Sequence, residues 1–287
     1  MGLEDWGIKP VLPIMDEQFA LWQGLIESRT GMIFTQTRRP FLEICLSTRM
    51  REIGTEDYES YYEFVISGTR GEREWLVLVD RLAVQETSFF RHASSYALVE
   101  KHLKELLLKP SLSSINLWSA GCSTGEEPYS LALLVEDLLK NSHRQDVFYG
   151  ITATDISLPT LAKAKLGVYN ERKLYGIPEK MRERYFEQLP NQRDWQIDKL
   201  LKARVAFAQL NLMELDKAPF GDMDVIFCQN VLIYFRRFRK RDVVSHLAAR
   251  LQIGGILVLG VGEVMDWQHP ALERIDYPDT LAYRRIQ

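Results

Sequence analysis

The segment Trp118-Ser119-Ala120-Gly121-Cys122-Ser123-Thr124-Gly125-Glu126-Glu127-Pro128-Tyr129-Ser130 carries the sharpest chemical signal in the chain. It reads as a strand end, a turn of small residues and a helix start with Pro128 in its first turn. Small residues let a ligand approach the backbone, and a helix N-terminus attracts negative charge. Here two glutamates occupy that position, so a pyrophosphate would be repelled and a dinucleotide is disfavoured. A ligand with a cationic group and ribose hydroxyls fits better, and S-adenosylmethionine, with its sulfonium and ammonium, is of that kind. A plain strand-to-helix turn has the same composition, so this segment alone leaves both readings open. Asp155 closes the next strand-like run, Val147 to Thr154. An acidic residue after the second strand of a nucleotide-binding doubly wound sheet takes the ribose hydroxyls. As a helix N-cap or turn aspartate it would need no ligand, but the two features in this order favour one.

Other chemistries find little support. No Ser–His–Asp or Cys–His signature is present, and His92, His102, His143, His246 and His269 show no metal-ligand spacing, so no metal is expected. Cys45, Cys122 and Cys228 are far apart and odd in number, which excludes a disulfide framework or a zinc signature and suits a reducing compartment. The chain has 287 residues, 46% hydrophobic and 26% charged, the balance of a globular protein of about two domains. Its 36 basic and 39 acidic residues give a net charge of −3, which argues against wholesale nucleic-acid binding. Any electrostatic partner must be met by a local patch. No apolar run is long enough to span a membrane, and the acidic start Met1-Gly2-Leu3-Glu4-Asp5 lacks a signal-peptide stretch. A cytoplasmic monomer without membrane insertion is expected.

These residues must be positioned by alternating elements. The first ~85 residues show only helical periodicity. The stripes are Phe19/Trp22/Ile26, Leu42/Cys45/Leu46/Ile53 ended by Gly54, Tyr58/Tyr61/Tyr62/Val65 ended near Gly68, and Trp75/Leu78/Val79/Leu82. Four short amphipathic helices predict a small bundle with its aromatic residues in the core. From Ile115 the rhythm changes to strands at 115–120, 147–154, 205–208, 224–228 and 256–259, with helices between them. One helix carries Leu131, Leu134, Val135 and Leu138. Another carries Val244, Leu247, Ala248 and Leu251 and is predicted to end at Gly254-Gly255. The alternation predicts an α/β domain with a mostly parallel sheet covered on both faces. The polar stretch from about 167 to 205 is too long for a βα connection and predicts an inserted subdomain.

At this point the residues resemble a family. Glu86-Thr87-Ser88-Phe89-Phe90-Arg91, the 121–130 segment, Ala153-Thr154-Asp155-Ile156, Leu210-Asn211-Leu212, and Phe227-Cys228-Gln229-Asn230-Val231-Leu232-Ile233-Tyr234-Phe235 stand in register with the CheR-type chemoreceptor methyltransferases. The resemblance covers nearly the whole chain. It implies a Rossmann-like S-adenosylmethionine-dependent methyltransferase domain (111–287) with a small inserted β subdomain, an all-helical N-terminal domain (1–85) and a linker helix (86–110) contributing to the cofactor site. It also implies roles. Gln85, Thr87 and Arg91 lie against the cofactor, Gly121 contributes backbone contacts, and Glu126 and Glu127 lie near the methionine end or the ribose. Asp155 binds the ribose, Asn211 and Leu212 flank the adenine, and Asn230 and Val231 form the far wall. Arg91 and Tyr234 are the polar groups that reach the methyl donor and the incoming carboxylate. Two places depart from the family pattern. Gln85 stands where Asn is usual, and Gly260-Val261-Gly262-Glu263 replaces a Gly-His-Ser-Glu turn. The insertion lacks the glycine-rich loop associated with tethering to a receptor tail.

The implied reaction esterifies glutamates on the cytoplasmic domain of a methyl-accepting chemotaxis receptor, leaving S-adenosylhomocysteine, in flagellar chemotaxis or a pilus-driven system. A glutamate carboxylate, with an ordinary pKa of about 4.3, is already the nucleophile at neutral pH, so no general base is required. Methylation of nucleic-acid amino groups would call for an Asp/Asn-Pro-Pro-Tyr/Phe motif where Asn230-Val231-Leu232-Ile233-Tyr234 stands. A non-catalytic docking module that binds the same cofactor is the alternative from another class. Two basic clusters offer places for an acidic partner. Arg38, Arg39, Arg49 and Arg51 surround the second helix, and charge there is the expected receptor-docking face. Arg236, Arg237, Arg239, Lys240 and Arg241 form a denser run at a helix start, which the helix dipole disfavours and the resemblance does not explain.

Overall fold

A computed structural model describes residues 13–190, 192–265 and 267–287. The acidic start Met1 to Asp5 lies outside the described residues. The chain divides into two compact units at the Val84–Gln85 junction.

The first unit contains helices α1 (Asp16–Thr30), α2 (Arg39–Ile53), α3 (Tyr58–Ile66) and α4 (Gly68–Leu82). Gly31 and Gly54 end α1 and α2 in the left-handed region that glycine tolerates, and Asp57 caps α3 by accepting from the Glu59 and Ser60 amides. Trp22, Ile26, Leu42, Leu46, Tyr61 and Leu78 are buried at its centre, with the Trp22 and Tyr61 rings 5.1 Å apart. The expected fourth stripe is corrected at two positions. Glu74, 6% exposed, takes the inward place beside Trp75, because its carboxylate accepts from Arg49 Nε and Nη2, each at 2.6 Å, and from Tyr61 Oη at 2.8 Å. Trp75 is only half-buried, under the Arg29 guanidinium, and Tyr62 is likewise half-buried.

The second unit begins with α5 (Ala93–Leu107), β1 (Ser114–Ala120), α6 (Glu126–Asn141), β2 (Phe148–Asp155) and α7 (Leu158–Leu166). An insertion follows: β3 (Val168–Asn170), α8 (Glu179–Tyr185), β4 (Phe186–Gln188), β5 (Asp194–Ile197) and α9 (Lys199–Ala203). Its three strands make a separate antiparallel sheet with β5 in the middle. The chain then returns through β6 (Val205–Gln209), β7 (Met223–Cys228), α10 (Arg237–Ala249), β8 (Leu251–Leu259), β9 (Leu272–Ile275) and β10 (Leu281–Arg285). The main sheet has the order β6-β2-β1-β7-β8-β10-β9, with the first five parallel and the last two antiparallel.

Alternation along β7 sorts the core onto two faces. Val225 and Phe227 pack with α5 and α6, and Ile226 and Cys228 pack with α10. The helix with Val244, Leu247 and Ala248 stops at Ala249, so the expected end at Gly254-Gly255 is corrected: both glycines lie inside β8. There the pairing jumps from Met223 opposite Leu251 to Val225 opposite Ile256, and a Cβ on Gly255 would stand 2.6 Å from the Met223 carbonyl oxygen. Glycine marks an irregular pairing here, not a helix end. No helix among the described residues is long and apolar enough to cross a membrane.

Removing the Glu74 carboxylate leaves a half-buried guanidinium and a buried phenol without their partner. Glu74→Ala is expected to cost the first unit roughly 3 kcal/mol, measured by urea unfolding, and Trp75→Ala much less.

Candidate active site

Strand order reverses between β1 and β7: the chain steps outward through β2 on one side and through β8 on the other. The crevice at such a switch point, beyond the carboxyl ends of the strands, is where open α/β sheets hold ligands. The glycine turn leaves β1 at this place. Gly121 and Cys122 both donate their amides to the Thr154 carbonyl at 2.8 Å, which bends the chain across the end of β2. Gly121 (φ +83°), Ser123 (φ +48°) and Gly125 (φ +95°) are left-handed. A Cβ on Gly121 would come within 2.4 Å of Val231 Cγ2, so only glycine lets the two loops meet. Asp155 pins both neighbouring turns: one carboxylate oxygen accepts from Ser123 N at 2.9 Å and the other from Ser157 N at 3.0 Å. The Ser123 hydroxyl is buried with no hydrogen-bond partner. An orphan hydroxyl in a cradle that a side chain would fill is the mark of a ligand site.

The wall opposite is the loop after β7. Asn230 is left-handed (φ +61°), and its Oδ1 lies 3.3 Å from His92 Nε2. Glu263, 3% exposed, stitches this loop to the one after β8: its carboxylate accepts from Gly260 N at 2.8 Å and Ile233 N at 3.2 Å. Burial pushes the Glu263 carboxyl up despite these bonds.

The third side is the stretch between Gln85 and His92. Gln85 Oε1 accepts from Lys163 Nζ on α7, Phe90 N donates to Ser130 Oγ, and Arg91 Nη1 donates to the Glu86 carbonyl. The insertion braces this side. Tyr169 Oη donates to the Thr124 carbonyl at 2.8 Å, and the Phe89 ring meets Tyr169 edge-on. Lys173 Nζ donates to the Thr87 carbonyl at 2.5 Å and stands 3.0 Å from Glu126 Oε1.

The two glutamates therefore differ. Glu126 is buried, accepts from Thr124 Oγ1 and is neutralised by Lys173. Glu127 accepts from Ser119 Oγ at 2.7 Å, yet burial pushes its carboxyl up to about 8; Glu263 adds to the shift, and Ser119 and Arg91 oppose it. At neutral pH this carboxyl takes up a proton readily, and a cation seated beside it would expel that proton.

Thus Gly121, Glu126, Glu127, Asp155 and Val231 surround one turn, Asn230 meets His92, and Thr87 joins Glu126 through Lys173. Asn211 caps the short helical turn that begins at Leu212, and Leu210 N donates to the Asp155 carbonyl, which brings this segment to the end of β2. Tyr234 is half-buried against the face that carries α10. Sequence reasoning missed Ser119, Tyr169, Lys173 and Glu263. Only Glu263 left a trace, as the last residue of a turn already singled out. The expected docking face on α2 is corrected. Arg49 is turned onto Glu74 and Glu52, Arg39 donates to Asp16 and the Ile14 carbonyl, and Arg38 lies over Phe34 and Phe41. Only Arg51 projects fully exposed from the helix, so the four do not share a positive face.

A glycine turn and an acidic strand end at the switch point, with two carboxylates at the helix start, define a nucleoside-binding α/β domain suited to a cationic ligand: a methyltransferase that uses S-adenosylmethionine. Residues 85–279 match the CheR methyltransferase, SAM binding domain, and residues 17–83 match the CheR methyltransferase, all-alpha domain. The chain belongs to the CheR methyltransferase family. It is similar to the chemotaxis protein methyltransferase of Borreliella burgdorferi, 30% identical over 84% of this chain and 86% of the relative. A probable chemotaxis protein methyltransferase of Rhizobium etli is 34% identical over 83% and 89%. The Escherichia coli chemotaxis protein methyltransferase is 29% identical over 88% and 86%. The protein is a methyltransferase of the chemotaxis class with S-adenosylmethionine as its cofactor.

Gly121→Ala combines left-handed strain with a clash against Val231. It is expected to destabilise the second unit by about 1–3 kcal/mol in thermal unfolding. Adding Val231→Ala should recover the steric part and leave the backbone part, a coupling that two independent sites would not show.

Proposed function

We propose that the chain transfers the methyl group of S-adenosylmethionine to glutamate side chains on the cytoplasmic domain of a chemoreceptor, giving glutamate methyl ester and S-adenosylhomocysteine. The setting is chemotaxis or a related pilus-driven motility system, and the protein acts as a cytoplasmic monomer. The observation that carries this reading is the charge arrangement at the turn. Glu127 is a carboxyl held near neutrality by burial, and the exposed Arg91 acts electrostatically upon it. The first suits a cationic cofactor and the second an anionic substrate.

The cofactor supplies a methyl group activated on a sulfonium. The chain must bind, orient and exclude water. In this reading Asp155 holds the ribose hydroxyls, and Gly121 lets the nucleoside approach the backbone. Asn211 and Leu212 flank the adenine, and Asn230 with Val231 closes the far wall. Gln85, Thr87 and Arg91 cover the near side. Glu126 is fixed by Lys173 and shapes the turn, while Glu127 faces the cationic end. Arg91 and Tyr234 orient the incoming carboxylate. That carboxylate is ionised at neutral pH and needs no base, so alignment at roughly 3–3.5 Å supplies the main acceleration. A bidentate grip by Arg91 would blunt the nucleophile, so a single contact is the productive one.

Radiolabel should pass from S-adenosylmethionine to a receptor cytoplasmic fragment as a base-labile ester; a base-stable product would rule out a glutamate ester. Asp155→Ala should weaken cofactor binding about tenfold or more by calorimetry, since a charged hydrogen bond is worth roughly 1.5–3 kcal/mol.

Glu127 predicts a pH dependence whose sign is fixed. Its folded value of about 8 lies above the ordinary 4.5, so the folded chain holds a proton that the unfolded chain has lost between these values. Stability from this group is full below 4.5 and falls as pH rises toward 8. A bound cation favours the carboxylate, so cofactor affinity should rise severalfold from about pH 6 to about pH 8 with proton release, and Glu127→Gln should flatten that rise. A wild-type profile already flat would remove Glu127 from the cationic end.

A further inference from the structure

The basic run at the start of α10 is left unused by the site, and it lies beside it. Arg236, Arg237, Arg239 and Arg241 are all exposed, and against them this segment sets only Asp242, 3.9 Å from Arg239. Positive charge in these turns opposes the helix dipole, so it does not serve the helix. Two large apolar side chains stand among or next to these arginines: Ile233 is 51% exposed and Phe238 54%, the latter under the Arg239 guanidinium. Glu263 gathers this surface onto the rim of the crevice. Its carboxylate holds Ile233 N, and its carbonyl accepts from Lys240 Nζ at 3.1 Å. Val261, two residues away, is 62% exposed, and Val231 of the same loop as Ile233 abuts Gly121. Exposed apolar side chains ringed by one sign of charge mark an interaction surface, not a solvated helix face.

We propose that this surface, formed by Ile233, Val261, Phe238 and the arginines of α10, docks an acidic, partly apolar segment of the protein substrate next to the residue to be methylated. The proposal rests on the function proposed above and adds the place and chemistry of substrate recognition. Charge complementarity selects the occupant: residues 236–242 carry five positive charges and one negative in a chain whose net charge is −3. A polyanionic nucleic acid would meet the same arginines, but the apolar side chains between them have no partner on a phosphate backbone. The surface belongs wholly to the second unit, and it takes the docking role that the internally paired arginines of α2 do not fill.

The test measures steady-state methylation of a receptor cytoplasmic fragment by the full chain, with cofactor affinity read separately by calorimetry. Wild-type enzyme that binds cofactor but esterifies no fragment would overturn the function reading before any variant is compared. Given wild-type activity, Arg239→Glu with Arg241→Glu should raise KM for the fragment about tenfold or more at low salt and remove most of its salt dependence. Cofactor Kd and thermal stability should stay at wild-type values. Ile233→Ser with Phe238→Ser should raise KM severalfold while keeping the salt dependence, which separates the apolar from the charged contribution. Wild-type KM and salt slope in both variants would overturn the proposal. So would tight binding of a DNA or RNA duplex that is lost in the charge-reversed variant while fragment KM is unchanged.

Discussion

The end of β2 is the anchor on which the second unit's chemistry depends. One carbonyl, that of Thr154, receives the amides of Gly121 and Cys122, and the carboxylate of the next residue, Asp155, receives those of Ser123 and Ser157. Four amides that would otherwise point into the crevice unpaired are satisfied by two adjacent residues. The turn after β1 and the start of α7 are thereby fixed to the same strand end. From this fixed turn the other contacts follow: Val231 can approach because Gly121 has no side chain, and α6 starts where Glu126 and Glu127 meet Lys173 and Ser119.

Much of this was legible in the sequence because it is written in residue types that act locally. Gly121, the acidic strand end at Asp155 and the strand–helix alternation announce a parallel sheet with a ligand crevice. The helical stripes of the first unit also read correctly where the inward residues are apolar. The failures have a common cause, which is that side-chain pairing is not local. Glu74 displaces Trp75 from the core because Arg49 and Tyr61, 25 and 13 residues away, supply the partners that make burial of a carboxylate tolerable. The same pairing withdraws Arg49 from the surface, and Asp16 withdraws Arg39, so four arginines that look like a patch are not one. Gly254-Gly255 read as a helix end because the irregular pairing of β7 with β8 leaves no mark on periodicity.

The electrostatics of the crevice rest on unequal treatment of similar groups. Glu126 has a lysine and Glu127 has a serine, so one stays an ion in the dark and the other hovers between forms. Glu263 adds a third buried carboxyl, which acts through backbone amides on two loops at once. A charged ligand entering such a place meets a field that is already arranged, with little reorganisation left to do.

The bracing of the turn by the insertion bears on how the protein acquires its site during synthesis. The Tyr169 hydroxyl reaches back 45 residues to the Thr124 carbonyl, and Lys173 reaches back further to Thr87. When β1, α6 and β2 have left the ribosome, the chain holds the turn's amides but not its buttress. Residues 168–176 must emerge before the loops can lock, and the far wall at Asn230 comes later still. Each closure spans a long stretch of chain and must overcome its own loss of freedom before it is rewarded. Binding competence is therefore among the last properties the nascent protein gains, and no partly made chain holds a half-formed pocket that could sequester cofactor.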